Sequence, residues 1–545
     1  MRPKLAALLI FATMLVPVGF APAQTQQVGQ APSSTTRKCS VDPSRPTDGD
    51  AALSRDDYTT AEAVFRAALA KDPGSEAASL GLVRSLIGED KSADARALAD
   101  GLLIKHPQSA LAEVAVAESA YRAADFATAK SHAAHALQDN GCEPQALAIV
   151  AKLYAITARF ATAARLLATA HAIRPNDDLI RRDWIQSLPR QQRTDELAKY
   201  LRETSSLDAK TRDSLGTEEA FLKARHPGDC RVTAKSDNVK LLLKPVYASF
   251  ALQPTAYGLD VSINGKSRRL QVDSGASGIV LTPAAAKRIG LTPEFQVHAG
   301  GIGDEGDVGS YITHVASIQI GDVELSNCTV EVLEKSKLDV DGLIGTDVFR
   351  RWLVILEYEH ADIRLAPLPA VTDAKSDAGD AVAVGSPGAP DQEDDRPVDA
   401  TVPAEMKDWL PVVRVGHQIL LPSRLNKGPL HYVIADTGAS STTFSTALAA
   451  EVGKLQEDST ARFEGISGEV KKVYKVSRAS LIFGTLALPP QDYPAFDITS
   501  ISHDSGMEVS GLLGLPTLSR LTISIDYRDN LIQMKFDKAM DYRLF

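Results

Sequence analysis

Two aspartates stand where carboxylate chemistry is most easily built. Asp273 opens Asp273-Ser274-Gly275-Ala276-Ser277, and Asp436 opens Asp436-Thr437-Gly438-Ala439-Ser440. Each follows an apolar run of strand character, Leu270 and Val272 in one case and Tyr432 to Ala435 in the other, so each carboxylate is expected at a strand end. Two carboxylates within hydrogen-bonding range do not both ionise readily, and one keeps a proton that the other shares. The ionised member can draw a proton from a water held between them while the protonated member polarises a carbonyl. That chemistry adds water to an amide without a covalent intermediate. The glycine after each hydroxyl residue allows close backbone approach, and the hydroxyls of Ser274 and Thr437 are placed to brace the two loops.

The elements that must position these residues occur twice. Leu259, Val261 and Ile263 alternate with polar residues up to Asn264-Gly265, a two-residue hairpin signal, and the return strand runs into Asp273. A step of 163 residues carries Asp273 onto Asp436 and Gly321 onto Gly484. A step of 169 then carries Leu343-Ile344-Gly345 onto Leu512-Leu513-Gly514, and Glu357-Tyr358 onto Asp526-Tyr527. Residues 240–368 and 405–545 therefore read as two copies of one all-β fold. Between them, in 369–404, Val371 to Ala400 holds eight acidic residues among Gly, Pro and Ala, the composition of a flexible linker.

On these motifs the two copies resemble the retropepsin-like aspartic proteases, with the two-lobed pepsin arrangement as the covalently linked relative. Both Asp-Ser/Thr-Gly-Ala-Ser segments fit that family's catalytic loop. Leu343-Ile344-Gly345 and Leu512-Leu513-Gly514 fit the apolar pair with glycine that supports the loop from beneath. Gly300-Gly301-Ile302-Gly303 looks like a flap tip, and Gly465-Ile466-Ser467-Gly468 holds the corresponding place. No counterpart of pepsin's flap tyrosine is evident, and Ala follows each triplet, so the retroviral subtype fits better, as a single-chain pseudo-dimer. The resemblance implies a peptide-bond hydrolase with Asp273 and Asp436 as the catalytic pair. It implies Ser274, Gly275, Thr437 and Gly438 as loop support, and Gly301, Ile302, Gly303, Gly465, Ile466 and Ser467 as substrate-binding flaps. A non-catalytic scaffold that binds extended peptide remains open, as does pairing of each copy with its twin in a second chain.

Rival motifs are weaker. Asp504-Ser505-Gly506 repeats the triplet without a preceding apolar strand or a following Ala-Ser and reads as a loop. Gly301-Ile302-Gly303-Asp304-Glu305-Gly306 matches the dinucleotide-binding glycine pattern, but Val308 to Ile320 alternates like a strand where a helix is required. There is no His-Glu-x-x-His, no hydrolase nucleophile elbow, and the 11 histidines show no ligand spacing. Neither metal nor organic cofactor is expected.

Upstream, residues 50–205 are rich in Ala, Leu and Arg. Ala61, Ala95, Ala129 and Ala163 recur every 34 residues, as do Tyr58, Ser92, Phe126 and Phe160, and Pro73, Pro107, Gly141 and Pro175. Small residues where helices meet, and a helix stop at a fixed place, are the grammar of helical hairpins. The segment resembles the tetratricopeptide repeat family, with Thr194 and Leu197 hinting at a decayed fifth unit. That resemblance implies a surface for a protein partner; a rigid spacer is the other reading.

Arg2 and Lys4 before the apolar stretch Leu5 to Ala21, then Ala21-Pro22-Ala23, give residues 1–23 the layout of a secretory signal peptide. Export to the periplasm or outside the cell is the expectation. Residues 24–49 then read as a flexible segment and 206–239 as a connector. A net charge of −10 without a basic block argues against nucleic acid, and no later apolar run is long enough to span a membrane. Cys39, Cys142, Cys230 and Cys328 allow three disulfide pairings. The whole reads as an exported monomer, all-α repeats followed by two all-β domains forming an internal pseudo-dimer, acting on protein or peptide.

Overall fold

The computed structural model describes residues 39–204, 207–224, 230–247, 254–369, 399 and 402–536. The leader over 1–23 and most of the acidic segment 369–404 lie outside the described residues.

The 34-residue ladders become helical pairs. Helices α1 (Asp48–Leu53), α2 (Tyr58–Lys71), α3 (Glu76–Gly88), α4 (Ser92–Lys105), α5 (Ala110–Arg122), α6 (Phe126–Asp139), α7 (Pro144–Ala155) and α8 (Phe160–Ile173) make four units. Ala61, Ala95, Ala129 and Ala163 are all essentially buried, which lets paired helices approach closely. Starts are set by side-chain caps: Ser75, Ser109 and Asp125 accept from the amides of Ala78, Ala112 and Thr128. The turn inside each unit passes through one left-handed residue, Asp56, Asp90, Ala124 or Ala158, again 34 apart and each with φ of 58°. A fifth unit exists as α9 (Asp178–Gln186) and α10 (Arg190–Glu203), with Thr194 and Leu197 buried at the ladder positions.

Three expected boundaries need correcting. The segment 24–49 is not simply flexible at its end: Arg174 pairs with Asp42 at 2.9 Å, and α1 begins at Asp48. The array does not stop at 205, because α11 (Ala209–Ala224) follows, with Leu207 and Leu222 packed on Leu197 and Tyr200. The connector 206–239 also supplies strand Arg231–Ala234, which pairs with Val323–Ser326 of the first β copy and is tied to it by the Cys230–Cys328 disulfide. That bond closes a sequence separation of 98 residues, a stabilisation of about 2–4 kcal/mol.

Each β copy holds its carboxylate loop in the same way. In the first, strand Gly342–Ile344 lies between Lys266–Val272, to which it is parallel, and Ile279–Leu281, to which it is antiparallel. In the second, Gly511–Leu513 lies between His431–Ala435 and Thr443–Ser445 with the same senses. All three residues of each central strand are buried.

A six-stranded sheet joins the copies, with Trp352–Glu357 of one paired antiparallel to Leu521–Asp526 of the other. Val354 faces Ile525 and Leu356 faces Ile523, and the 169-residue step that relates the copies exchanges these two pairs. Ile355 and Ser524, related by the same step and facing each other, mark the pseudo-twofold axis.

The array is seated on the second copy by its inter-helix turns. Ile156 joins Val413, Leu420, Ile434, Phe496 and Met507 in one apolar cluster, with Tyr121, Phe126 and Leu153 against it. The Phe126 and Tyr432 rings stand 5.0 Å apart. Buried Arg122 donates to the Ser502 carbonyl at 2.9 Å, and its own carbonyl accepts from the Glu508 amide at 2.7 Å. Asp399 is held to α8 by the amide and hydroxyl of Thr162. Among the described residues no helix is long and apolar enough to cross a membrane.

Removal of the array uncovers this apolar seat. A chain starting at residue 230 is expected to bind an environment-sensitive apolar dye strongly while the full chain does not. Equal dye fluorescence from both would contradict an apolar docking surface.

Candidate active site

The two carboxylate loops interlock across the pseudo-twofold axis. The Ser274 amide donates to Thr437 Oγ1 and the Thr437 amide to Ser274 Oγ, both at 3.0 Å. Each hydroxyl then donates onward to the carbonyl before the opposite aspartate: Ser274 Oγ to Ala435 at 2.7 Å, Thr437 Oγ1 to Val272 at 3.2 Å. Both side chains are buried, and each directs these bonds to the other loop.

The strands beneath fix the height of each aspartate. The Asp273 amide donates to the Ile344 carbonyl and the Asp436 amide to the Leu513 carbonyl, both at 3.0 Å. Leu343, Ile344, Leu512 and Leu513 are buried, and Gly345 and Gly514 pass directly under the loops. A Cβ on Gly438 would sit 2.3 Å from the carboxyl carbon of Asp273, and one on Gly275 would sit 2.9 Å from that of Asp436. Each carboxylate therefore rests against the opposite glycine. The two carboxyls thus lie near enough for each to shift the other's pKa.

Their environments are unequal. Asp436 Oδ1 accepts from the amides of Gly438 at 2.8 Å and Ala439 at 3.0 Å, and Asp273 Oδ1 accepts from Gly275 at 2.8 Å, with the Ala276 amide also favouring its charged form. Burial raises the pKa of both; for Asp273 the charge of Asp436 raises it further, well above the ordinary carboxylate range. For Asp436 the hydrogen bond from Asp273, the two amides and the charge of His417 oppose the rise.

Three side chains not singled out from the sequence support the loops. His417, at the turn before strand Gln418–Leu425, places Nε2 2.8 Å from the Gly275 carbonyl. Asp347 accepts from the Gly278 amide at 3.0 Å and the Ser277 hydroxyl at 3.2 Å. Gln271 reaches the Gly438 carbonyl at 3.3 Å. None belongs to a repeated motif, which is why pattern reading passed them over.

The flap residues meet tip to tip. The first flap lies between strands Phe295–Ala299 and Val308–Ile320; the second is the short hairpin of Glu464–Gly465 and Gly468–Glu469. The Ser467 amide donates to the Ile302 carbonyl at 2.9 Å, and the Glu305 amide to the Ser467 carbonyl at 2.8 Å. Gly303 has φ of 133° and its missing Cβ would fall 2.2 Å from the Ser467 backbone, so only glycine fits. Gly301 lies against Ile466, and Gly465 against Ile302. The two isoleucines cross over. Ile466 packs against Val280, Leu333 and Leu343 of the first copy, while Ile302 joins the cluster of the second. The expected strand Val308–Ile320 is present, which removes the dinucleotide reading. Asp504, expected in a loop, ends the short helix Thr499–Asp504, with its carboxylate beside Gly300 of the first flap.

One expectation about histidines fails. His132 and His135 are one helical turn apart on α6, and both face Glu113 of α5; ligand spacing was present and was overlooked because its third member lies 19 residues upstream.

Comparison with known proteins agrees with this layout. A tetratricopeptide repeat family model matches residues 52–117. A model for the aspartyl protease of gag polyproteins matches residues 259–351, and an aspartyl protease model matches residues 422–517. The UBA domain-containing protein Mud1 of Schizosaccharomyces pombe is 35% identical over 111 residues, 20% of this chain and 32% of that protein. The DNA damage-inducible protein 1 of Neurospora crassa is 31% identical over 101 residues, 18% of this chain and 22% of that protein. Protein DDI1 homolog 1 of Homo sapiens is 29% identical over 157 residues, 28% of this chain and 37% of that protein. The chain thus spans 22% to 37% of the length of these relatives. The crystal structure of an aspartic proteinase from Irpex lacteus aligns at 12% identity and a TM-score of 0.33, over 55% of this chain and 99% of that one.

Two outcomes follow from the geometry. Ser274→Ala or Thr437→Ala strands buried partners across the axis and should cost about 1–3 kcal/mol, read as a lowered melting temperature. The raised pKa of Asp273 means that the folded chain binds more protons than the unfolded one, so stability declines as pH rises above about 4. Asp273→Asn should therefore melt higher than the parent at neutral pH, with the gap closing in acid; a constant gap across pH would contradict the burdened dyad.

Proposed function

We propose that this chain, with its tetratricopeptide segment and two aspartyl-protease domains, is an aspartic endopeptidase whose single active site is built from both domains. The observation that supports the reading is the reciprocal interlock of Ser274 and Thr437, which holds the loops of the two half-buried carboxylates against each other.

In this reading a water lies between the carboxyl groups. Asp436, favoured as the ionised member, takes a proton from it as the oxygen attacks the peptide carbonyl. Asp273 gives its proton to the carbonyl oxygen, so a neutral tetrahedral diol forms and the dyad charge moves to Asp273. Collapse returns the hydroxyl proton to Asp273 while Asp436 protonates the departing nitrogen. The dyad is then back in its starting state, Asp273 protonated and Asp436 ionised, and no covalent adduct is needed. The flap tips must part to admit a chain, breaking the Ser467–Ile302 and Glu305–Ser467 backbone bonds. Reclosure over substrate would expel water and bring Ile302 and Ile466 over the bond to be cut.

Export completes the proposal, supported by the leader pattern of residues 1–23 and by the absence of any free cysteine among the described residues. The array is assigned a double role: it is a fixed buttress of the second domain, and its remaining surface is offered to a protein partner or substrate.

The test is cleavage of a peptide library from acid to neutral pH. Asp273→Asn and Asp436→Asn are each expected to lower kcat/KM by about 10²–10⁴-fold; if only one matters, the two-domain site is wrong. His417→Ala removes a positive neighbour of Asp436, whose pKa then rises, so the acidic limb of the kcat/KM profile should move to higher pH. A limb that stays in place would take His417 out of the charge balance.

A further inference from the structure

Glu113 lies inside the third repeat with 6% of its surface exposed, on a helix whose neighbouring Ala112, Val114, Ala115, Val116 and Ala117 are all buried. A carboxylate is costly in such surroundings unless positive or hydrogen-bonding groups meet it. Two imidazoles do. His132 Nδ1 is 2.5 Å from one Glu113 oxygen and His135 Nδ1 is 3.8 Å from the other. The rings come from successive turns of α6, stand 5.9 Å apart and are inclined at 82°, so both present the same nitrogen to one point. The three ligand atoms all lie within 4.8 Å of one another.

We propose that Glu113, His132 and His135 bind one zinc-type divalent cation. Two imidazole nitrogens and one carboxylate oxygen form a set that suits zinc, at bond lengths of about 2.0–2.2 Å. Tetrahedral bonds of that length require ligand atoms about 3.3–3.5 Å apart, so His132 must retreat slightly from Glu113 and His135 advance. The histidine side chains are 24% and 51% exposed, which leaves an entry path and a fourth position for water. The site clamps α5 to α6, and the turn between these helices carries Arg122 and Phe126 onto the second β domain. A bound cation thus stiffens the seat of the array. The alternative, a plain histidine–glutamate ion pair, needs no metal and is the outcome that defeats the proposal.

The test uses the full chain stripped of metal with a chelator. Titration with zinc against a chromophoric chelator should reveal one tight equivalent, lost in His132→Ala/His135→Ala and weakened at least tenfold in Glu113→Gln. X-ray absorption on the zinc-loaded parent, which depends on no variant folding, should show two imidazoles and light-atom ligands in a four-coordinate shell. Retention of the tight equivalent by the double variant, absence of stoichiometric binding by the parent, or a shell lacking two imidazoles would each overturn it.

Discussion

Four hydrogen bonds between Ser274 and Thr437 and the loops they face are the constraint on which the rest of the β region depends. Two half-buried carboxylates held close together repel, and partial desolvation favours their neutral forms. The interlock resists separation because it would break all four bonds at once. Much of the surrounding architecture serves to keep those four bonds in register. The apolar strands Gly342–Ile344 and Gly511–Leu513 set the height of the loops, and the shared six-stranded sheet sets the angle between the domains.

The helical array contributes to the same rigidity from outside. Its repeated left-handed turns present one edge, and that edge carries the Tyr121, Phe126 and Ile156 side chains onto the second domain. Arg122 reinforces the seat with a bond to the Ser502 carbonyl and an ion pair with Asp90 at 2.5 Å. The array is consequently less a tethered arm than a buttress. It also touches the first domain, where the Phe221 ring of α11 stands 5.6 Å from that of Phe295, and that domain is bound further to the chain before it by the Cys230–Cys328 bond and strand Arg231–Ala234.

The sequence was informative wherever a constraint had to be met more than once. Duplication exposed the dyad, the apolar pair with glycine and the flaps, since chance seldom repeats an order of motifs at a nearly constant step. The 34-residue ladders exposed the array for the same reason, down to Thr194 and Leu197 in its fifth unit. What stayed hidden was used once. His417 and Asp347 touch the loops from one copy only, and Glu113 meets His132 and His135 through tertiary folding across two helices. The connector was misjudged because α11 and strand Arg231–Ala234 lack a second instance to reveal their pattern. Docking of the array was illegible too, as its apolar seat is divided between residues more than two hundred positions apart.

Ile355 and Ser524 face each other where the two copies meet, and that non-identical pair shows what a covalent fusion permits. In a dimer of identical chains every wall of the cleft has an equal opposite, so a bound strand can lie in either direction with the same energy. Here the degeneracy is lifted. The second copy contributes His417 and a flap with strands of two residues, and the first contributes Asp347 and a longer flap. A polypeptide threaded through such a groove meets a different environment at its amino and carboxyl sides, and reading direction becomes a property of the fold.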